Sequence, residues 1–220
     1  MSVDLRLYAL VDPDRNGGHD LGVLSGMLVQ GGATLVQLRD KTGSTRRMIE
    51  EARAIKAALA GSFVPLLIND RVDVALAAGA DGVHIGWDDM PVADARRLLG
   101  REAIIGLSIK TRAQIDAAPF DLLDYVCIGG VFETSSKDNK EPPVRPEGFA
   151  ALAAYARSKA PNMPVGAIAG IDESNAADVV AAGADGIAVI SALSLASDPA
   201  QAASRLRAIV DRGLAMRGAA

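Results

Sequence analysis

The stretch PLLINDRVDVALAAGADGVHI, residues 65–85, decides how this chain is read. Residues 65–68 are a short aliphatic run suited to a buried strand. Residues 71–78 have helical character and stop at Gly79, a residue that suits the left-handed end of a helix. Residues 82–85 form a second short aliphatic run. Strand, helix and strand in this order make a parallel unit, because parallel neighbours need a crossover.

The same alternation continues in both directions. Further strands are expected at residues 6–11, 34–39, 104–107, 125–128, 164–167 and 186–190, which makes eight. Helical stretches lie near residues 21–30, 45–59, 92–99, 112–118, 147–158, 174–182 and 199–216. Eight βα units in 220 residues favour closure into a single (β/α)₈ barrel spanning 1–220 over an open doubly wound sheet. AAGADG occurs at residues 77–82 and again at 181–186, as a half-barrel repeat predicts, although it also serves as a common helix-to-strand connector. Residues 133–145 are the longest irregular stretch. They are polar, carry Pro142 and Pro143, and are expected to act as a lid that is open or disordered without ligand.

Composition narrows the function. Half of the residues are apolar but only 4% are aromatic, so an aliphatic core is expected. The net charge of −4, without a basic tract, argues against a nucleic-acid partner. No run approaches a membrane span, and no apolar leader follows Met1. The lone Cys127 fits a reducing compartment, so a cytoplasmic location is expected. Oligomeric state is left open, a homo-oligomer included.

Chemistry concentrates where strands end. If Val36 and Leu38 face the helices, Gln37 and Arg39 face the barrel axis, and Arg39 must meet an anion from the protein or from a ligand. Lys41 follows at the end where barrel enzymes place their sites. Asn69 and Asp70 follow the third strand and could instead cap the next helix. Asp88, Asp89 and Pro91 follow the fourth; Pro91 suits a first helical turn, and the acids suit its dipole. Asp70 and Asp89 together make a seat for Mg²⁺, which takes one or two carboxylates with phosphate oxygens and water. His84 is read as packed or locally hydrogen-bonded. Ser108 offers a hydroxyl after the fifth strand. Gly129, Gly130, Thr134, Ser135, Ser136 and Lys137 follow the sixth, either as phosphate donors or as a flexible turn. Gly170, Ile190 and Ser191 follow the last two strands, the usual phosphate site of such barrels.

Several motifs in one order resemble the thiamine-phosphate synthase family across nearly the whole chain. They are VQLRDK at 36–41, INDRVDVALAAGADGVHIG at 68–86, DDMP at 88–91, IIGLS at 104–108, GGVFETSSK at 129–137 and ADGIAVISAL at 184–193. The resemblance implies a Mg²⁺-dependent transferase that joins hydroxymethylpyrimidine diphosphate to a thiazole phosphate. It places diphosphate contacts on Gln37, Arg39, Lys41, Asn69, Ser108 and Lys137. Magnesium falls on Asp70 and Asp89, and the thiazole phosphate on Thr134, Ser136, Gly170 and Ser191, with Ile190 beside them. Arg39, Lys41, Ser108 and Lys137 form the implied catalytic set. No triad is evident in the sequence, and loss of pyrophosphate from an electron-rich pyrimidine carbon needs none. The chain departs from the family at Trp87 (usually Gln), Ile109-Lys110 (Thr-His), Gly130 and Glu133 (both Pro), Ser136 (Thr) and Ala169 (Gly). Glu133 would bring negative charge near an anionic ligand, and Ala169 would be strained at positive φ.

Three other readings stand beside it. A thiazole tautomerase wants histidine where Lys110 stands, and this chain has only His19 and His84. A non-catalytic phosphate-binding barrel would hold ligand without turnover. A sugar-phosphate isomerase would use Asp70 and Asp89 as its acid–base pair.

Overall fold

The computed structural model describes residues 3–134 and 142–219. Its strands are β1 (Leu7–Val11), β2 (Leu35–Leu38), β3 (Leu66–Asn69), β4 (Gly82–Ile85), β5 (Ile104–Ile109), β6 (Tyr125–Ile128), β7 (Val165–Ile168) and β8 (Gly186–Val189). Each pairs in parallel with the next. Tyr8 of β1 meets Ala188 of β8, which closes an eight-stranded barrel. The helices are α1 (Leu21–Gln30), α2 (Thr45–Ala58), α3 (Val72–Ala78), α4 (Val92–Leu99), α5 (Arg112–Ala117), α6 (Arg145–Lys159), α7 (Ala176–Ala181), α8 (Ser191–Ser194) and α9 (Pro199–Gly218). The open doubly wound alternative is thereby excluded.

Boundaries differ from the sequence reading where local chemistry intervenes. The α6 helix begins at Arg145, two residues early, because Pro146 fits its first turn. The α7 helix begins late, because Asp172 and Asn175 tie the preceding backbone into a turn. The four-residue α8 was not expected, being too short to leave a periodic pattern. In both AAGADG copies the first glycine has positive φ, Gly79 at +66° and Gly183 at +107°. In the second copy, however, the helix is capped by Ala182 in right-handed backbone and the glycine comes one place later.

Period-two alternation sorts the strand residues into two layers. Leu7, Ala9 and Val11 of β1, with Val36, Leu38, Leu66 and Ile68, pack outward against the helices. Tyr8, Leu10, Leu35, Leu67, Tyr125 and Cys127 fill the barrel interior. The outer layer is aliphatic as expected, but the interior is not. Tyr8, Gln37, His84 and Tyr125 form a buried polar and aromatic layer there. Glycine makes room for it: register places His84 opposite Gly106 and Gly106 opposite Tyr125. A Cβ on Gly106 would lie 2.0 Å from the Tyr125 ring. Without one, the His84 and Tyr125 rings stack with centroids 5.5 Å apart. Gly106→Ala should therefore destabilise by about 3 kcal/mol through overpacking. Melting should fall by roughly 6–12 °C; an unchanged melting curve would refute this packing account.

The opposite rim repeats one device four times. Thr34, Asp81, Asp124 and Asp185 each precede an even-numbered strand. The side chain of each accepts the backbone N–H at the foot of the preceding odd strand: Leu7 at 3.1 Å, Leu66 at 2.8 Å, Ile105 at 2.8 Å and Val165 at 2.9 Å. The backbone N–H of each donates back to the carbonyl of the same partner. Cations back the three aspartates: Lys56 on Asp81, Arg96 on Asp124, and both Arg157 and Arg217 on Asp185.

Candidate active site

The C-terminal ends of the strands surround a cavity of about 460 Å³, to which seven strands contribute residues, β1 through Leu10, and β6 only through Gly129 and Gly130 just past its end. On one side Arg39 follows β2. Its Nη1 donates to Asp12 Oδ2 at 2.6 Å, and both side chains are largely buried. The anion that Arg39 requires is thus supplied by the protein, from the residue just after β1. The Arg39 side chain still lines the cavity. Sequence reasoning missed Asp12, although an inward arginine beside the end of a neighbouring strand was the signal for it.

Lys41 lines the same wall and its ammonium pairs with the Asp70 carboxylate. Neither Asn69 nor Asp70 caps α3, contrary to the capping alternative. Its N-cap is Arg71, with no side-chain cap. Asp70 instead adopts φ +60° and donates its backbone N–H to the carbonyl of His84 at 2.9 Å. Left-handed backbone at a non-glycine residue is unusual, though aspartate tolerates it better than most. Asp89 Oδ2 accepts the Gly86 N–H at 2.8 Å. Pro91 is the N-cap of α4 and lies before its first turn, which holds Asp94; Asp88 and Asp89 therefore lie outside that turn.

The Asp70 and Asp89 carboxyls share a hydrogen bond. Burial pushes the Asp70 carboxyl up, but hydrogen bonds from Lys41 and Asp89 and the Lys41 charge outweigh it and hold the group below its usual range. Burial, the hydrogen bond to Asp70 and repulsion from the Asp70 charge push Asp89 up. Two neighbouring carboxyls resist joint ionisation in this way because their negative charges repel.

Across the floor runs a hydrogen-bonded row. His84 Nε2 lies 2.8 Å from Ser108 Oγ, and His84 Nδ1 lies 2.8 Å from the Tyr125 hydroxyl. The Tyr125 and Tyr8 hydroxyls are 2.9 Å apart, and Gln37 Nε2 donates to Tyr8. The expectation of a locally hydrogen-bonded His84 holds. Its partner Ser108 makes a Ser–His contact that was not foreseen, but a phenol, not a carboxylate, orients the imidazole. Tyr8 and Tyr125 were missed as well; their inward positions followed from strand alternation.

The other wall holds Gly129, Gly130, Thr134, Gly170, Ile190 and Ser191. Gly170, at φ +67°, has no room for a side chain, since a Cβ would sit 2.4 Å from the Glu133 carbonyl oxygen. Ala169 adopts φ +87°. The strain foreseen there is real and is of order 1 kcal/mol or more. Glu133 is exposed and is not among the cavity-lining residues, so its charge is not directed at the cavity as expected. Ser136, Lys137 and most of the expected lid at 133–145 lie outside the described residues.

The cavity therefore brings Gln37, Arg39, Lys41, Asn69, Asp70, Asp89 and Ser108 to one side and the backbone around Gly170 and Ser191 to the other. A family model described as thiamine monophosphate synthase matches residues 7–193. The chain belongs to the thiamine monophosphate synthase family. A thiamine-phosphate synthase of Agrobacterium fabrum is 55% identical over 98% of this chain and 98% of its own. Another, from Chloroflexus aurantiacus, is 45% identical over 94% of each chain. Thiamine phosphate pyrophosphorylase from Pyrococcus furiosus superposes with a TM-score of 0.82 at 34% identity, covering 96% of this chain and 98% of that one. Membership in the thiamine monophosphate synthase family makes this barrel a transferase of thiamine biosynthesis. Five departures from the family pattern, Trp87, Ile109, Lys110, Gly130 and Ala169, line the cavity. Gln114 Oε1 accepts the backbone N–H of Lys110 at 2.6 Å and so fixes the start of that loop. Among the described residues, no helix is long and apolar enough to cross a membrane.

Proposed function

We propose that this barrel joins hydroxymethylpyrimidine diphosphate to a thiazole phosphate, giving thiamine phosphate and pyrophosphate, with Mg²⁺ on the diphosphate. The observation that carries this reading is the meeting of Arg39, Lys41, Asp70, Asp89 and Ser108 on one side of a single cavity. Asp70 and Asp89 fit the metal. Among the described residues no third acidic, histidine or cysteine group gathers beside them. Two carboxylates, completed by phosphate oxygens and water, are the donor set magnesium takes. The opposed carboxyls, one held charged and one pushed up, would both ionise opposite a dication. When bound, Mg²⁺ supplies charge neutralisation to the diphosphate.

This chain's residues do the rest. Lys41 and Arg39 face the leaving diphosphate and stabilise its charge as the C–O bond breaks. Arg39 keeps its place because Asp12 holds it. The Ser108 hydroxyl donates to a diphosphate oxygen. The backbone near Gly170 and Ser191 holds the thiazole phosphate, so that its ring nitrogen is positioned to attack. The cavity walls exclude the water that would otherwise capture a cation-like pyrimidine carbon. No covalent nucleophile takes part.

The test is to incubate the purified chain with both substrates and Mg²⁺ and to look for thiamine phosphate and pyrophosphate. Both products should appear, and a chelator should abolish them. A folded protein that gives no product removes the synthase reading, and chelator-resistant turnover removes the metal.

A further inference from the structure

We propose that Tyr8, Tyr125 and His84 form a hydrogen-bond relay that sets the polarity of Gln37 and Ser108 together, so that the site offers an acceptor at Gln37 and a proton at Ser108. The three are positioning residues. Tyr8 and Tyr125 lie beneath the cavity floor, His84 forms part of it, and the row acts through Gln37 and Ser108 at its two ends.

Proton counting gives the relay its direction. Gln37 Nε2 can only donate, and it donates to the Tyr8 hydroxyl. Among the described residues, the only other hydrogen-bond partner of that hydroxyl is Tyr125. Tyr8 must therefore give its single proton to Tyr125. Tyr125 then gives its own to His84 Nδ1, 2.8 Å away. His84 carries its proton on Nε2 and donates to Ser108 Oγ at 2.8 Å. The Ser108 proton is left to point into the cavity. Burial pushes both phenols up, so each keeps the proton it must pass along. In the opposite direction Tyr8 would be a buried donor without an acceptor, which is costly.

The two ends are thereby linked. Gln37 is fully buried and lines the cavity, and its Oε1 has no partner among the described residues. An anionic oxygen at Ser108 favours the direction in which Gln37 shows that carbonyl oxygen. A carbonyl oxygen repels phosphate and accepts from an N–H. One substrate carrying both an anionic group and an exocyclic amine donor thus satisfies both ends at once. The direction also keeps His84 from acting as a base toward Ser108, because its facing nitrogen already holds a proton. The empty side of Gly106 shows that the barrel is shaped around this row, since any side chain there would displace Tyr125.

Two measurements test the relay. The first is independent of the reaction. With only His19 and His84 in the chain, ¹⁵N spectra, assigned with His19→Gln, report the His84 tautomer directly. Near neutral pH the wild-type ring should carry its proton on Nε2 alone, and Tyr125→Phe should give a mixture. A wild-type ring protonated on Nδ1 overturns the proposal.

The second rests on the proposed function. It compares the dissociation constants of the 4-amino pyrimidine diphosphate and its 4-oxo analogue, which replaces the donor with an acceptor. Wild type should prefer the amine by about 30-fold. Once Tyr125→Phe frees the amide to turn over, that ratio should fall to about threefold or less. An unchanged ratio in a folded variant, or no preference in wild type, overturns the relay. Should Tyr125→Phe fail to fold, Tyr8→Phe breaks the same chain one link away. Failure of the synthase reading shows separately, as absence of thiamine phosphate from the wild-type reaction.

Discussion

Asp70→Asn should lower turnover by about 100- to 1,000-fold while leaving the melting curve nearly unchanged. Asp70 holds Lys41 and faces Asp89, so neutralising it removes a carboxylate from the metal seat and frees the ammonium at the same time. Asparagine is the cleaner substitution because it tolerates the φ of +60°. Alanine should show the same loss of turnover together with a backbone cost of about 1 kcal/mol. Steady-state kinetics across a magnesium titration check both points. The variant should need more Mg²⁺ for half-maximal rate, and a wild-type rate at ordinary Mg²⁺ would show that the seat lies elsewhere.

Arg39→Ala should damage the enzyme in two separable ways. It takes a cation from the leaving group, which should cost roughly 100-fold or more in kcat/KM. It also strands the Asp12 carboxylate, whose side chain is only 5% exposed. Breaking one partner of a buried pair costs about 3 kcal/mol or more. That corresponds to a fall in melting temperature of roughly 6–12 °C. The double variant Arg39→Ala with Asp12→Ala should regain most of the thermal stability and none of the rate. Recovery of both together would mean that Arg39 acts only as structural ballast for Asp12.

The parts of the sequence that were easy to read are those whose information is local. The 65–85 unit shows its strand, helix and strand because aliphatic runs and Gly79 mark them without help from the rest of the chain. Asp70, Asp89, Arg39 and Lys41 could be gathered because parallel strands put all their C-terminal ends on one side. What could not be read depends on lateral register. That His84, Gly106 and Tyr125 stand in one row across three strands, leaving space for two stacked rings, is set by pairings between distant segments. The low aromatic content hid this layer, since two tyrosines and one histidine suffice to change a barrel interior. Asp12 escaped for a related reason: the link from Arg39 to the neighbouring strand end exists only once β1 and β2 are in register.

The fourfold girdle of Thr34, Asp81, Asp124 and Asp185 fastens the strands in pairs at the end away from the ligand cavity. Of the four described non-glycine residues at positive φ, Asp70, Arg145 and Ala169 sit at the other end, and only Phe63 lies on the base side, before β3. A scaffold anchored at its base tolerates awkward geometry and sequence drift at its mouth, because neither loosens the foundations. Trp87, Lys110 and Ala169 could diverge from the family pattern on those terms. Within this lineage, new ligand preferences would be expected to arise by exchanging mouth residues while the base stays as it is.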